Sequence, residues 1–85
     1  MRRSIDDYPM TPEDLPAGDD DAVPIAFAVA ISDDYDDAEP RIVLTVEEVG
    51  APGTGLVAHL TPELARRLRV AIRDGLREVG AEPGA

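Results

Sequence analysis

Between Ile25 and Ile31, large apolar side chains alternate with alanines along the chain. This period of two is typical of a β-strand that presents large residues on one face and small residues on the other. The alternation returns at residues 42–47 and, over a shorter run, at residues 56–60. The segments between these runs are rich in Asp, Gly and Pro, which favours turns. The pattern predicts a three-stranded antiparallel β-meander.

After residue 60 the apolar positions follow a helical period. Thr61 and Pro62 suit the N-cap and the first helical position, because a residue before proline prefers the extended backbone that an N-cap also needs. Gly80 is expected to end the helix. Between these limits the apolar residues fall on one stripe about 140° wide, enough to cover one face of the sheet. They are Leu64, Ala65, Leu68, Ala71, Ile72, Gly75, Leu76 and Val79.

The predicted fold class is therefore α+β, with a single C-terminal α-helix packed on one face of the sheet. Gly75 lies near the middle of the apolar stripe, where glycine lowers helix stability by about 1 kcal/mol relative to alanine. A close approach to Phe27 would explain it, and we expect Leu68 and Phe27 to share one core.

Both ends of the chain are polar. Residues 1–22 carry seven acidic residues and three prolines, so they offer little apolar surface to offset the entropy lost on ordering. We expect residues 1–22 to form a disordered acidic tail, residues 23–80 a small ββ-β-α domain, and residues 81–85 a flexible C-terminus.

Composition narrows the classes of function. The chain has 85 residues, no cysteine and a formal charge of −10, so it has neither disulfides nor thiolate metal sites, and its net charge disfavours direct binding to nucleic acid or to an anionic membrane. No segment resembles a signal sequence or a membrane span, which predicts a cytoplasmic protein. All eight basic residues are arginine, a bias typical of a high-GC genome such as that of an actinobacterium.

No motif for catalysis, cofactor binding or metal binding is found. The acidic run at residues 33–39 lacks the glycine and the distant glutamate of a calcium loop, and a solvated turn explains it better. His59 is the sole histidine and has no nucleophile in a recognisable setting beside it. The sequence therefore predicts a protein that is not an enzyme, with no cofactor and no evident small-molecule substrate.

Two surfaces are candidates for protein contacts. The first is the small-residue face of the sheet, which would have no helix to cover it, and a bare apolar face of this kind often marks a contact. Its candidate residues are Ala26, Ala28, Ala30, Val43, Val57 and His59. The second is a basic ridge on the helix, formed by Arg66, Arg69, Arg73 and Arg77. The ridge would dock an acidic partner or, in the simpler interpretation, be a solvated face balanced by nearby acids.

The helix start carries a resemblance. The run Leu-Thr-Pro-Glu-Leu-Ala-Arg-Arg-Leu at residues 60–68, preceded by hairpin-like strands, resembles small actinobacterial domains of unknown function in which a strand leads into a helix of this type. The likeness covers about residues 40–79. It implies a small cytosolic domain and supplies no catalytic residues.

These observations favour a noncatalytic, cytosolic protein-interaction module with a regulatory or accessory role, acting on a protein partner or as a homodimer. The alternative is an acidic decoy that imitates nucleic acid and binds a basic DNA-binding protein. Its phosphate substitutes would be Asp6, Asp7 and the aspartates within residues 19–21 and 33–37.

Overall fold

The computed structural model describes residues 1–19 and 21–84. It has four strands and one α-helix: β1 (Arg2–Pro9), β2 (Ile25–Ser32), β3 (Arg41–Glu48), β4 (Leu56–Leu60) and α1 (Pro62–Glu78). The strands form a single antiparallel sheet in the order β1-β2-β3-β4. The predicted α+β class, with an antiparallel sheet and a C-terminal helix, is confirmed.

The predicted count of three strands was wrong, and so was the disordered tail as a description of residues 2–9. These residues form strand β1, which pairs with β2 from Arg2↔Ser32 to Pro9↔Ala26 around a bulge between Ser4 and Asp6. β1 is an exposed edge strand, and edge strands tolerate charges, prolines and bulges that a central strand would not. The predicted tail and C-terminus each include one position, 20 and 85, that lies outside the described residues.

Cross-strand register divides the side chains between two faces of the sheet, because residues paired directly opposite each other point the same way. The front face, on which α1 lies, carries Phe27, Val29, Ile31, Ile42, Leu44, Val46, Leu56, Ala58 and Leu60. The back face carries Ala26, Ala28, Ala30, Ser32, Arg41, Val43, Thr45, Glu47, Val57 and His59. The alternation in the sequence thus places the large apolar residues of β2 on the front face and its alanines on the back face, as expected.

Both ends of α1 match the sequence signals. The Thr61 hydroxyl accepts a hydrogen bond from the backbone N–H of Leu64 at 3.2 Å, as an N-cap should. Gly80 has a φ of +75°, and the backbone N–H groups of Gly80 and Ala81 donate to the carbonyls of Arg77 and Leu76. This pair of bonds is a Schellman motif, which satisfies carbonyls at the helix end.

Gly75 does not make the expected close approach. A Cβ at this position would meet no atom within 4 Å, and Phe27 instead packs against Tyr8 with ring centroids 5.6 Å apart. Leu68 is 39% exposed, so it does not share a closed core with Phe27. Gly55 is a glycine that the fold requires on steric grounds, because a Cβ there would overlap the Val46 carbonyl and the Glu47 side chain.

We expect removal of residues 1–9 to destabilise the protein, because β1 hydrogen-bonds to β2 along nearly its whole length. At about 1 kcal/mol net for each of a few lost bonds, the midpoint of thermal unfolding should fall by roughly 10 °C or more. Circular dichroism melting of the truncated and full-length chains checks this. An unchanged midpoint would show that β1 contributes no stability in solution.

Gly55→Ala should lower the free energy of unfolding by roughly 2 kcal/mol or more, because the new methyl group overlaps backbone that cannot easily move. Gly75→Ala is the matched control. It meets open space inside a helix and should leave stability unchanged or raise it by up to about 1 kcal/mol. Urea unfolding of both variants measures the difference, and equal effects would contradict this account of Gly55.

Candidate interaction surface

An open cleft of about 510 Å³ separates α1 from the front face. Its sheet wall is apolar and includes Val29, Ile42, Leu44 and Leu60. Its helix wall combines apolar side chains with three arginines: Ala65, Leu68, Arg69, Ile72, Arg73, Leu76 and Arg77. α1 contacts β3 and β4 and does not extend over the β1–β2 half of the front face, where the Tyr8 hydroxyl donates a hydrogen bond to Asp14 at 2.8 Å. The helix therefore closes only part of the face for which its stripe is suited.

The orientation of α1 explains this incomplete closure. At about 100° per residue, the centre of the apolar stripe is turned roughly 70° from the centre of the cleft-lining residues. Part of the basic ridge consequently faces the sheet, while part of the apolar stripe faces solvent. Leu64 is 50% exposed and Ile72 is 58% exposed. The apolar stripe is thus shared between the chain's own sheet and its surroundings.

Few apolar side chains are buried. Among the described residues, Val43 is the one hydrophobic side chain classed as buried, at 1% exposure. Leu56 on β4 is 83% exposed and Val79 at the end of α1 is 78% exposed. We call the cleft, the exposed side of the apolar stripe, Leu56 on β4 and the β1–β2 half of the front face together the front surface. Exposed apolar side chains occur in several parts of it, as they do in surfaces that make contacts.

Three of the four arginines of the predicted basic ridge line the cleft. They are Arg69, Arg73 and Arg77, whereas Arg66 is exposed and does not line it. The Arg73 guanidinium lies 3.4 Å from the carboxylate of its neighbour Asp74. The ridge therefore contributes basic side chains to the helix wall of the cleft.

The back face is partly covered by the β2–β3 loop, contrary to the expectation that nothing within the chain would cover it. The Tyr35 hydroxyl lies 2.8 Å from Nδ1 of His59, and the two rings meet edge to face. His59 is the register partner of Val43, so this contact holds the loop beside the buried Val43. The guanidinium of Arg41 lies 4.7 Å from the centre of the Tyr35 ring, within the range of a cation–π interaction.

An ion pair holds the same loop from its other end. Two nitrogens of Arg41 donate to the two carboxylate oxygens of Asp37 at 3.0 and 2.7 Å, the bidentate geometry that makes such pairs specific. The hydrogen bond from Arg41, followed by one from the backbone N–H of Glu39, lowers the pKa of Asp37 to about 2. The same contact raises the pKa of Arg41. We call Tyr35, His59, Arg41 and Asp37 the loop brace.

Sequence reasoning placed the six small-face candidates correctly on one face but missed the loop brace. Ala26, Ala28 and Ala30 are half-buried, whereas Val57 and His59 at the β4 edge are exposed. Tyr35 is an isolated aromatic in an otherwise acidic loop, and this was the available signal that the loop packs on something. The partner of that ring could not be read from the chain.

Other polar groups of the acidic loop are also engaged. The N-terminal amine lies 2.7 Å from the carboxylate of Asp33 and also pairs with Asp34. Hydrogen bonding to this amine lowers the pKa of Asp33. No cluster of metal-ligating side chains occurs within residues 1–19 and 21–84, and no helix in that part of the chain is long and apolar enough to cross a membrane. Asp33, Asp34 and Asp37 of this loop thus form ion pairs with other groups of the same chain.

The chain matches no protein-family model, no curated protein and no solved structure. The resemblance of residues 60–68 and their surroundings to actinobacterial domains of unknown function therefore stays a prediction.

The Asp37–Arg41 pair should make stability depend on acid in a defined direction. The pKa of Asp37 is depressed in the folded protein from an ordinary value of 3.8 to about 2, so its contribution is complete above about pH 4 and is lost as the pH falls through about 2. We expect the melting temperatures of wild type and Asp37→Asn to differ by a constant amount near neutrality and to converge between about pH 4 and pH 2.

Asp36→Asn is the control for this experiment. Asp36 is an exposed neighbour that has no ion pair among the described residues. Its variant should melt close to wild type across the same acid range, measured by circular dichroism. A wild-type and Asp37→Asn difference that stayed constant down to pH 2 would contradict the ion pair.

Proposed function

We propose that the chain is a noncatalytic protein-interaction module that acts through the front surface, in a regulatory or accessory role in the cytoplasm. The observation that carries the proposal is the open cleft, with apolar side chains on both walls and strongly exposed Leu56, Leu64 and Ile72 around it. A protein contact would remove these side chains from water.

Burial of the exposed apolar side chains of the front surface would stabilise a complex. Burying a leucine or isoleucine side chain stabilises a protein or a complex by roughly 1.5–3 kcal/mol relative to leaving it in water. The front surface exposes several such side chains, while the described chain buries one hydrophobic side chain of its own. Domains of this size are close to the limit at which a single core suffices, so association would supply stability that the isolated chain lacks.

The groups around the cleft suit binding rather than catalysis. Its ionisable side chains are the arginines Arg69, Arg73 and Arg77, which stay protonated and make poor acids or bases. His59 lies on the opposite face of the sheet, bonded to Tyr35. An arginine wall beside apolar residues instead suits a partner whose contact surface is apolar with acidic groups at its edge.

The decoy alternative receives less support. A nucleic-acid mimic needs free, regularly spaced carboxylates, whereas Asp33 and Asp34 pair with the N-terminal amine and Asp37 pairs with Arg41. Asp6 and Asp7 point to opposite faces of β1. Asp20, which belongs to the same hypothesis, lies outside the described residues.

A matched pair of substitutions tests the placement of the surface. Leu56→Glu introduces a charge at a front-surface position that is 83% exposed, so the fold should tolerate it while an apolar contact would not. Ala28→Arg places a charge on the half-buried back face. In a lysate of the source organism, we expect wild type and Ala28→Arg to elute in a complex and Leu56→Glu to elute closer to the monomer.

Circular dichroism of the purified variants verifies that each is folded. If all three chains eluted as monomers, the interaction proposal would be wrong. If Ala28→Arg dissociated and Leu56→Glu did not, the contact would lie on the small-residue face that the sequence predicted.

A further inference from the structure

The accessible surface of the chain is too large for a closed monomer. It measures 6537 Å², whereas a compact monomer of this mass exposes roughly 4,900 Å². The radius of gyration is 15.0 Å, against about 12 Å for a compact chain of this length. The excess of roughly 1,600 Å² per chain would amount to roughly 3,200 Å² in a pair, within the range buried by obligate dimers. The excess surface of the chain is therefore comparable to the area that one chain buries in an obligate dimer.

We infer that the front surface is occupied by a second copy of this chain in a two-fold symmetric dimer. This inference rests on the proposed function, since it names the partner of that surface. It follows from two incompletely covered parts of each copy: a helix whose apolar stripe is partly exposed, and the β1–β2 half of the front face, over which α1 does not lie.

In a two-fold symmetric dimer, one type of contact covers both the exposed side of α1 and the β1–β2 half of the front face in each copy. The exposed side of the stripe, which carries Leu64 and Val79, then lies over the β1–β2 half of the other copy, where Tyr8 and Phe27 pack together. By symmetry, α1 of the second copy lies over the β1–β2 half of the first copy, so both parts are covered in each copy.

Leu64→Glu tests this contact, because it should stabilise the helix of the single chain and weaken the dimer. Position 64 is the third residue of α1, where glutamate completes a capping box with Thr61 and favours the helix. In the dimer the same carboxylate would be forced against the apolar surface of the other copy. We expect the dimer dissociation constant to rise at least about tenfold while helix content is retained.

Arg66→Glu is the control, because it changes the charge by more but lies outside the cleft and the apolar stripe. Sedimentation equilibrium of the three purified chains over a concentration series gives each dissociation constant. The expected result is a dimer for wild type and Arg66→Glu and a folded, weakened or monomeric Leu64→Glu.

Two results would overturn the inference. Wild type that stays monomeric at millimolar concentration excludes the second copy, and equally stable dimers of all three chains place the contact elsewhere. Elution of wild type in the lysate separates this failure from that of the proposed function. A purified monomer that elutes in a lysate complex has another partner on the surface, and a monomer in both settings contradicts both proposals.

Discussion

The antiparallel hydrogen-bond ladder is the interaction on which the rest of this structure depends. β2 pairs with β3 at every position from Ile25↔Glu48 to Ser32↔Arg41, and β1 and β4 extend the ladder on either side. In most domains such a ladder is supported by a packed core, but here Val43 is the hydrophobic side chain that the described residues bury. Backbone pairing therefore sets the order of the strands, while most apolar side chains of β2 and β3 are half-buried within one copy.

The two faces of the sheet are covered by different parts of the chain. On the back face, the loop brace holds Tyr35 of the β2–β3 loop next to His59. On the front face, α1 is turned so that arginines share the cleft with apolar side chains. The back face is thus partly covered within the chain, and the front surface remains open. This asymmetry supports placing an interaction on the front.

In the proposed dimer, the stability of the chain would depend on association. For an obligate dimer, folding and association are one equilibrium, so its measured stability rises with protein concentration. This view links the large surface, the open cleft and the rotated helix to a single physical cause. The proposed regulatory or accessory role would fit this arrangement, because a chain that is stable when partnered and marginal when alone can follow the abundance of its partner.

Local patterns determined much of this protein without help from the rest of the chain. The period of two at residues 25–31, the Thr61–Pro62 helix start and the Gly80 stop depend on neighbouring residues, and the structure agrees with each. Strand β1 could not be found this way, because a charged edge strand has no apolar pattern and is held by hydrogen bonds to β2. Tertiary structure alone decided the remaining features: the rotation of α1, the Tyr35–His59 contact and the requirement for Gly55. Each depends on atoms far apart in the chain or on the meeting of two elements, and local propensity carries no information about such distances.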